Sequence, residues 1–104
     1  MPRLLKRIMD PITRELNTYL VAMAYQGATH EQEHQMEHLL ALLAPDDEEL
    51  ILHYYGLFGH ERLALDDLAA HRHEQPDDTI TAISRLLRRI AVTPEWQMIK
   101  PKNS

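Results

Sequence analysis

The sequence predicts a small all-α domain of about five helices that contains a helix-turn-helix. Apolar residues recur at steps of three and four along most of the chain, and none of its stretches alternates as a half-buried strand does. Proline, glycine and capping residues separate these segments. With 104 residues, 44% of them hydrophobic and 26% charged, the chain is long enough for one modest core and too short for two.

Residues 1–28 are predicted to be an amphipathic amino-terminal helical segment. Asp10 and Pro11 predict the N-cap and first residue of its main helix, and Gly27 predicts the end. Its apolar stripe consists of Leu5, Ile8, Ile12, Leu16, Tyr19, Leu20 and Met23. Such a stripe can cover the core of its own molecule or pair two copies as a homodimer, and the sequence leaves both open.

Two further helices are predicted between residues 29 and 56. Thr29 and Gln32 have the spacing of a capping box at the start of the second helix. The apolar face of that helix is Met36, Leu39, Leu40 and Leu43. Pro45 then opens a third helix, whose acidic first turn suits the positive end of the helix dipole, and Gly56 is placed to end it.

A fourth, short helix is predicted to end near His73, and a fifth to begin at Pro76. One face of the fifth helix is apolar and is expected to be buried: Ile80, Ile83, Leu87 and Ile90. Residues 93–104 are predicted to be an irregular tail, in which Trp96 packs back onto its own domain or into a partner.

The composition excludes several classes of protein. The chain has no cysteine, so it forms no disulfide and no thiolate metal site. It contains no apolar run near the roughly 20 residues needed to span a membrane, and a cytoplasmic location is expected. The net charge of −5 argues against indiscriminate nucleic-acid binding. The acidity is concentrated in residues 28–62, which hold eight acidic residues and one basic residue, so the remainder can still present a basic face.

Two motifs resemble region four of bacterial sigma factors. The first, LAPDDEELILHYYGL from Leu43 to Leu57, is similar to the family's Leu and Pro, acidic turn, aliphatic pair and Arg-Tyr-Gly-Leu ending. The second, LALDDLA from Leu63 to Ala69, is similar to the family's Leu-Thr-Leu-Glu-Glu-Ile-Ala/Gly. The resemblance covers about half of the chain, from Met36 to Ile90, and implies a helix-turn-helix domain over residues 29–92. It also implies promoter-like duplex DNA as a partner and RNA polymerase as a second one.

The chain departs from the family in the part that reads DNA. Ala64 stands where the family has a capping Thr, and the turn before Pro76 is one residue longer and lacks the family's glycine. Asp77 and Asp78 replace basic and polar residues at the start of the recognition helix, where two carboxylates would repel phosphates.

The predicted DNA-binding residues are therefore those on the polar face of the fifth helix and in the turn before it. They are Arg72, Thr81, Ser84, Arg85, Arg88 and Arg89, with His71 and His73 nearby. They lead to the hypothesis of a DNA-binding transcriptional regulator or sigma-like accessory domain. The alternative is a degenerate helix-turn-helix that serves as a protein-interaction or dimerisation module without binding DNA.

The run from His30 to His34 satisfies the H-E-x-x-H pattern of zinc hydrolases. Glu33 places a charge where such helices are usually apolar, and further Glu and His residues surround the run. His30, His34 and His38 share a helical face that is expected to be solvated, although neighbouring imidazoles can bind a transition metal adventitiously. We therefore expect no catalytic metal, no cofactor and no enzymatic activity.

Overall fold

The computed structural model describes residues 9–101 and contains six helices and no strand within them. We number them α1 to α6. Their ranges are Pro11–Gln26, His30–Leu40, Pro45–Tyr55, Leu65–His71, Pro76–Ala91 and Pro94–Ile99. The all-α prediction is confirmed. None of these helices combines the length and the apolar character that crossing a bilayer requires.

The predicted helix starts are confirmed where a local cap marks them. The Asp10 carboxylate accepts a hydrogen bond of 2.8 Å from the backbone N–H of Thr13, and Pro11 follows as the first helical residue. Thr29 and Gln32 form the reciprocal capping box of α2. Gly56 ends α3 with a left-handed backbone. These signals lie within a few residues of each boundary, which is why the sequence alone identifies them.

Helix α5 lies at the centre of the fold and packs against α1, α3, α4 and α6. The four residues predicted to form its buried face are all buried, together with Thr79, Leu86 and Ala91. This prediction is confirmed. Because one full side of α5 is covered by neighbouring helices, only the opposite side can meet a ligand.

Helix α1 uses its apolar stripe to cover the core of its own molecule. Leu16 and Leu20 are fully buried in the cluster that also contains the apolar face of α5. At the far end of the stripe, the prediction for Ile12 is wrong: its side chain is 45% exposed, and Thr13 is buried in its place. Leu5 and Ile8 lie outside the described residues.

The prediction of an irregular tail is wrong for Pro94–Ile99, which forms α6. The Thr93 hydroxyl accepts a hydrogen bond from the backbone N–H of Trp96, and Pro94 occupies the first turn. The Trp96 side chain is fully buried and meets the ring of Tyr19 edge-on, with 5.2 Å between the ring centres. Burial of one large side chain thus makes a six-residue helix stable against the core.

Substitution Leu87→Ala is expected to lower the free energy of unfolding by about 2–5 kcal/mol, because it leaves a cavity where α5 meets the other helices. Chemical denaturation measured by circular dichroism provides the test. As a control, Met98→Ala removes a side chain that is 82% exposed and should change the same quantity by less than about 0.5 kcal/mol. Equal effects of the two substitutions would contradict the central position of α5.

Candidate nucleic-acid interface

Helices α4 and α5 are joined by a turn of four residues, 72–75. The end of α4 is closed by two backbone hydrogen bonds: the N–H of Glu74 donates to the carbonyl of Ala69 at 3.0 Å, and the N–H of His73 donates to that of Ala70 at 3.1 Å. His73 has a φ of 58°, a left-handed conformation that glycine adopts at lower cost. The turn therefore keeps a left-handed residue without the glycine that helix-turn-helix turns often contain.

Side chains fix this turn against the rest of the fold. The Arg72 Nε donates to the Glu74 carboxylate at 2.8 Å, and the hydroxyl of the buried Thr79 donates to the same oxygen at 2.8 Å. A second nitrogen of Arg72 lies 3.4 Å from the Asp47 carboxylate at the start of α3. The turn is thus connected forward to α5 and backward to α3.

Arg72 was predicted to bind DNA phosphate, and the structure places it in these internal ion pairs instead. Its side chain is 26% exposed. The hydrogen bond with Glu74 raises the pKa of Arg72 most, burial partly opposes it, and the charge of Glu74 and the contact with Asp47 raise it further. With two carboxylates bound, Arg72 presents little uncompensated charge to a polyanion, and its contact with Glu74 links it to the turn that leads into α5.

The exposed side of α5 carries the other predicted residues. Thr81, Arg85, Arg88 and Arg89 are exposed, and Ser84 is half-buried. The hydroxyl of Thr81 donates to the backbone carbonyl of Asp77 at 2.9 Å. Asp77 and Asp78 are also exposed at the amino-terminal end of this side. The exposed side of α5 is therefore acidic at its start and basic over its second half.

Two of the three arginines are available on this basic half. Arg88 forms an ion pair with Asp10, which also caps α1, so it holds the start of α1 against the end of α5. Its side chain remains 59% exposed. Arg85 and Arg89 form no ion pair with any residue in the range 9–101. These two guanidinium groups are the strongest candidates for contact with an outside anion.

His71 and His73, which were expected near the arginines, line a groove between α3 and α4. Four carboxylates share that groove: Asp46, Asp47, Glu49 and Asp67. The groove between α3 and α4 is therefore acidic, and the two histidines belong to it. The sequence did not reveal this grouping, because the groove brings together residues from two helices and a turn.

Comparison of the chain with protein-family models, curated proteins and solved structures finds no significant match. The resemblance to sigma region four accordingly depends on the motif residues between Leu43 and Ile90. An interpretation of the interface has to come from the side chains themselves.

Substitution Glu74→Gln is expected to lower the free energy of unfolding at neutral pH by up to about 1 kcal/mol. The hydrogen bonds from Arg72 and Thr79 hold the pKa of Glu74 below its ordinary value. The ionised carboxylate therefore stabilises the fold above the ordinary glutamate pKa of about 4.3, and this contribution is lost as the pH falls through the lower folded-state pKa.

Denaturation series at neutral and acidic pH measure this effect. The difference between the parent protein and the Glu74→Gln variant should shrink as the solution is acidified. Glu37→Gln is the matched control, since Glu37 is exposed on α2 and forms no ion pair in the part of the chain that the structure describes. A Glu74 effect that is independent of pH would contradict the assigned role of its carboxylate.

Proposed function

We propose that this protein binds duplex DNA through the exposed side of α5 and acts as a transcriptional regulator or sigma-like accessory domain. The observation that carries the proposal is the position of Arg85 and Arg89. Both are exposed and unpaired within residues 9–101, on the helix that follows a four-residue turn and opposite its buried face. Guanidinium groups bind phosphate oxygens in a planar, bidentate geometry.

The contacts expected from this surface are to the DNA backbone. Arg85 and Arg89 lie in the second half of α5, whereas a recognition helix reads base edges mainly with its amino-terminal residues. In that position this chain has Asp77 and Asp78, which oppose the approach of phosphates. We therefore infer weak dependence on DNA sequence and strong dependence on salt.

The resemblance to sigma region four supports promoter-like DNA as the target and RNA polymerase as a further partner. In that family, one surface of the domain holds DNA while other surfaces contact the polymerase or regulators. A role of this kind belongs in the cytoplasm, where bacterial DNA is transcribed.

A second candidate function is that of a protein-interaction module, and the acidic groove favours it. The groove and the first turn of α5 together present several exposed carboxylates, and Arg72, which also lines the groove, is paired with Asp47 and Glu74. A partner with a basic surface would fit this side of the molecule better than DNA does. The carboxylates of Asp77 and Asp78 would weaken binding to DNA, whereas they would strengthen binding to a basic protein.

The first candidate predicts that the double substitution Arg85→Ala with Arg89→Ala weakens binding to mixed-sequence duplex DNA. Fluorescence anisotropy across a salt series measures it. Because each phosphate contact contributes about one unit to the slope of log affinity against log salt, loss of two contacts should reduce the magnitude of that slope by about 2.

Arg62→Ala is a matched control for the loss of an arginine. Arg62 donates a hydrogen bond to the hydroxyl of Tyr25. At about 1.5 Å per helical residue, Tyr25 lies roughly 22 Å from Asp10 along α1. Since Arg88 pairs with Asp10, this control lies far from the basic end of α5 and should leave the slope unchanged. No binding by the parent protein at low salt, or an equal effect of Arg62→Ala, would contradict the DNA proposal.

The substitutions Asp77→Asn and Asp78→Asn separate the two candidates in the same assay. If DNA is the ligand, removing two negative charges from the start of α5 should raise the affinity. If a basic protein is the ligand, the same change leaves DNA binding absent and weakens the protein contact.

A further inference from the structure

The three histidines of α2 do not act as one cluster. His30 lines a cavity with Glu33 and Glu37 near the start of the helix, whereas His34 and His38 line a different cavity, between α2 and α6. The H-E-x-x-H pair of His30 and His34 is thus divided between two cavities. The pair that the structure brings together is His34 with His38, one helical turn apart.

The rings of His34 and His38 have a separation that suits a shared metal ion. Their centres are 4.7 Å apart and their planes are inclined by 77°. With metal–nitrogen bonds of about 2.0–2.1 Å, two imidazoles on one ion at roughly 90° to 110° have ring centres about 4.5–5.2 Å apart. The observed spacing falls within this range, so an ion can be shared without a change in the separation of the two ring centres.

The nitrogens of this pair are also accessible. His34 and His38 are both exposed, and neither forms a hydrogen bond or an ion pair with another side chain in the described part of the chain. The other stacked pair differs, because the Nδ1 atom of His53 lies 2.7 Å from the carbonyl oxygen of Glu61. Of the two pairs, only His34 and His38 make no side-chain hydrogen bond within residues 9–101.

We propose that His34 and His38 together bind one divalent transition-metal ion of the class that imidazole prefers, namely Zn²⁺, Ni²⁺ or Cu²⁺. Within residues 9–101, no three His, Asp or Glu side chains are close enough to share an ion. Water therefore occupies the remaining coordination positions. This site is separate from the DNA-binding surface proposed for α5 and does not depend on it.

The surroundings of the pair add a consequence for stability. Glu95 and Ile99 of α6 line the same cavity as the two histidines, so the ion is held beside the contact between α2 and α6. An ion that binds the folded chain and not the unfolded one stabilises the fold by mass action. Among the three metals, affinity should follow the order Cu²⁺ above Ni²⁺, with Zn²⁺ below Cu²⁺.

The test is a calorimetric titration of the full chain, purified without an affinity tag, with NiCl₂ or ZnCl₂ in a non-chelating buffer at neutral pH. We expect one ion per chain. His34→Gln and His38→Gln should each weaken binding about tenfold or more, because either change leaves a single protein ligand and removes the advantage of two linked ones.

His30→Gln and His60→Gln are the matched controls, as each removes an exposed histidine from another part of the surface. Both should bind the ion as the parent protein does. Since all four histidines are exposed, circular dichroism should show an intact helical fold in every variant. Absence of binding by the parent, retained affinity in both the His34 and His38 variants, or an equal loss in the controls would overturn the proposal.

Discussion

Burial of one face of α5 is the constraint on which the rest of the structure depends. Ile83 and Leu87 are fully buried, and four of the other five helices pack against this one element. Each fully buried aliphatic side chain contributes roughly 1.5–3 kcal/mol, so the face as a whole is a large part of what holds the helices together. The same burial determines which side chains of α5 remain outside.

The turn before α5 shows how the fold uses charge for positioning. Arg72 is bound by Glu74 and Asp47, and Glu74 also accepts a hydrogen bond from the buried Thr79. Gln75 makes no capping hydrogen bond, so the turn is connected to α5 by the side-chain hydrogen bond from Thr79 to Glu74 and not by a cap on the backbone N–H groups. The arrangement removes one cation from the outer surface and gives α5 a defined angle to α3. One guanidinium group beside α5 is therefore already paired within the chain.

Local signals explain what the sequence revealed. Asp10 with Pro11, Thr29 with Gln32, and Gly56 each act on backbone groups only a few residues away, and these boundaries could be predicted without knowing the fold. The buried face of α5 could be predicted equally well, because the spacing of its apolar residues is a property of that helix alone. Helix α6 was missed although Thr93 and Pro94 form a recognisable cap, since so short a helix depends on tertiary burial of Trp96.

The candidate site was only partly predictable, because some of its features follow from one helix and others depend on tertiary contacts. Exposure of Arg85 and Arg89 follows from the helical period, so both could be placed on the outer side of α5. The pairing of Arg72 with Asp47 and of Arg88 with Asp10 could not be deduced, because these carboxylates lie far away in the sequence and meet the arginines only in the folded chain. Nothing in the order of residues indicated that His34 would pair with His38 rather than with His30.

We propose that the basic half of α5 is where this protein meets DNA. The most direct measurement is a nuclear magnetic resonance titration of nitrogen-15-labelled protein with a short duplex at low salt. We expect the largest shifts at the backbone N–H groups of residues 81–89 and at the side-chain nitrogens of Arg85 and Arg89. Shifts confined to the acidic groove between α3 and α4, or the absence of shifts at saturating duplex, would contradict it.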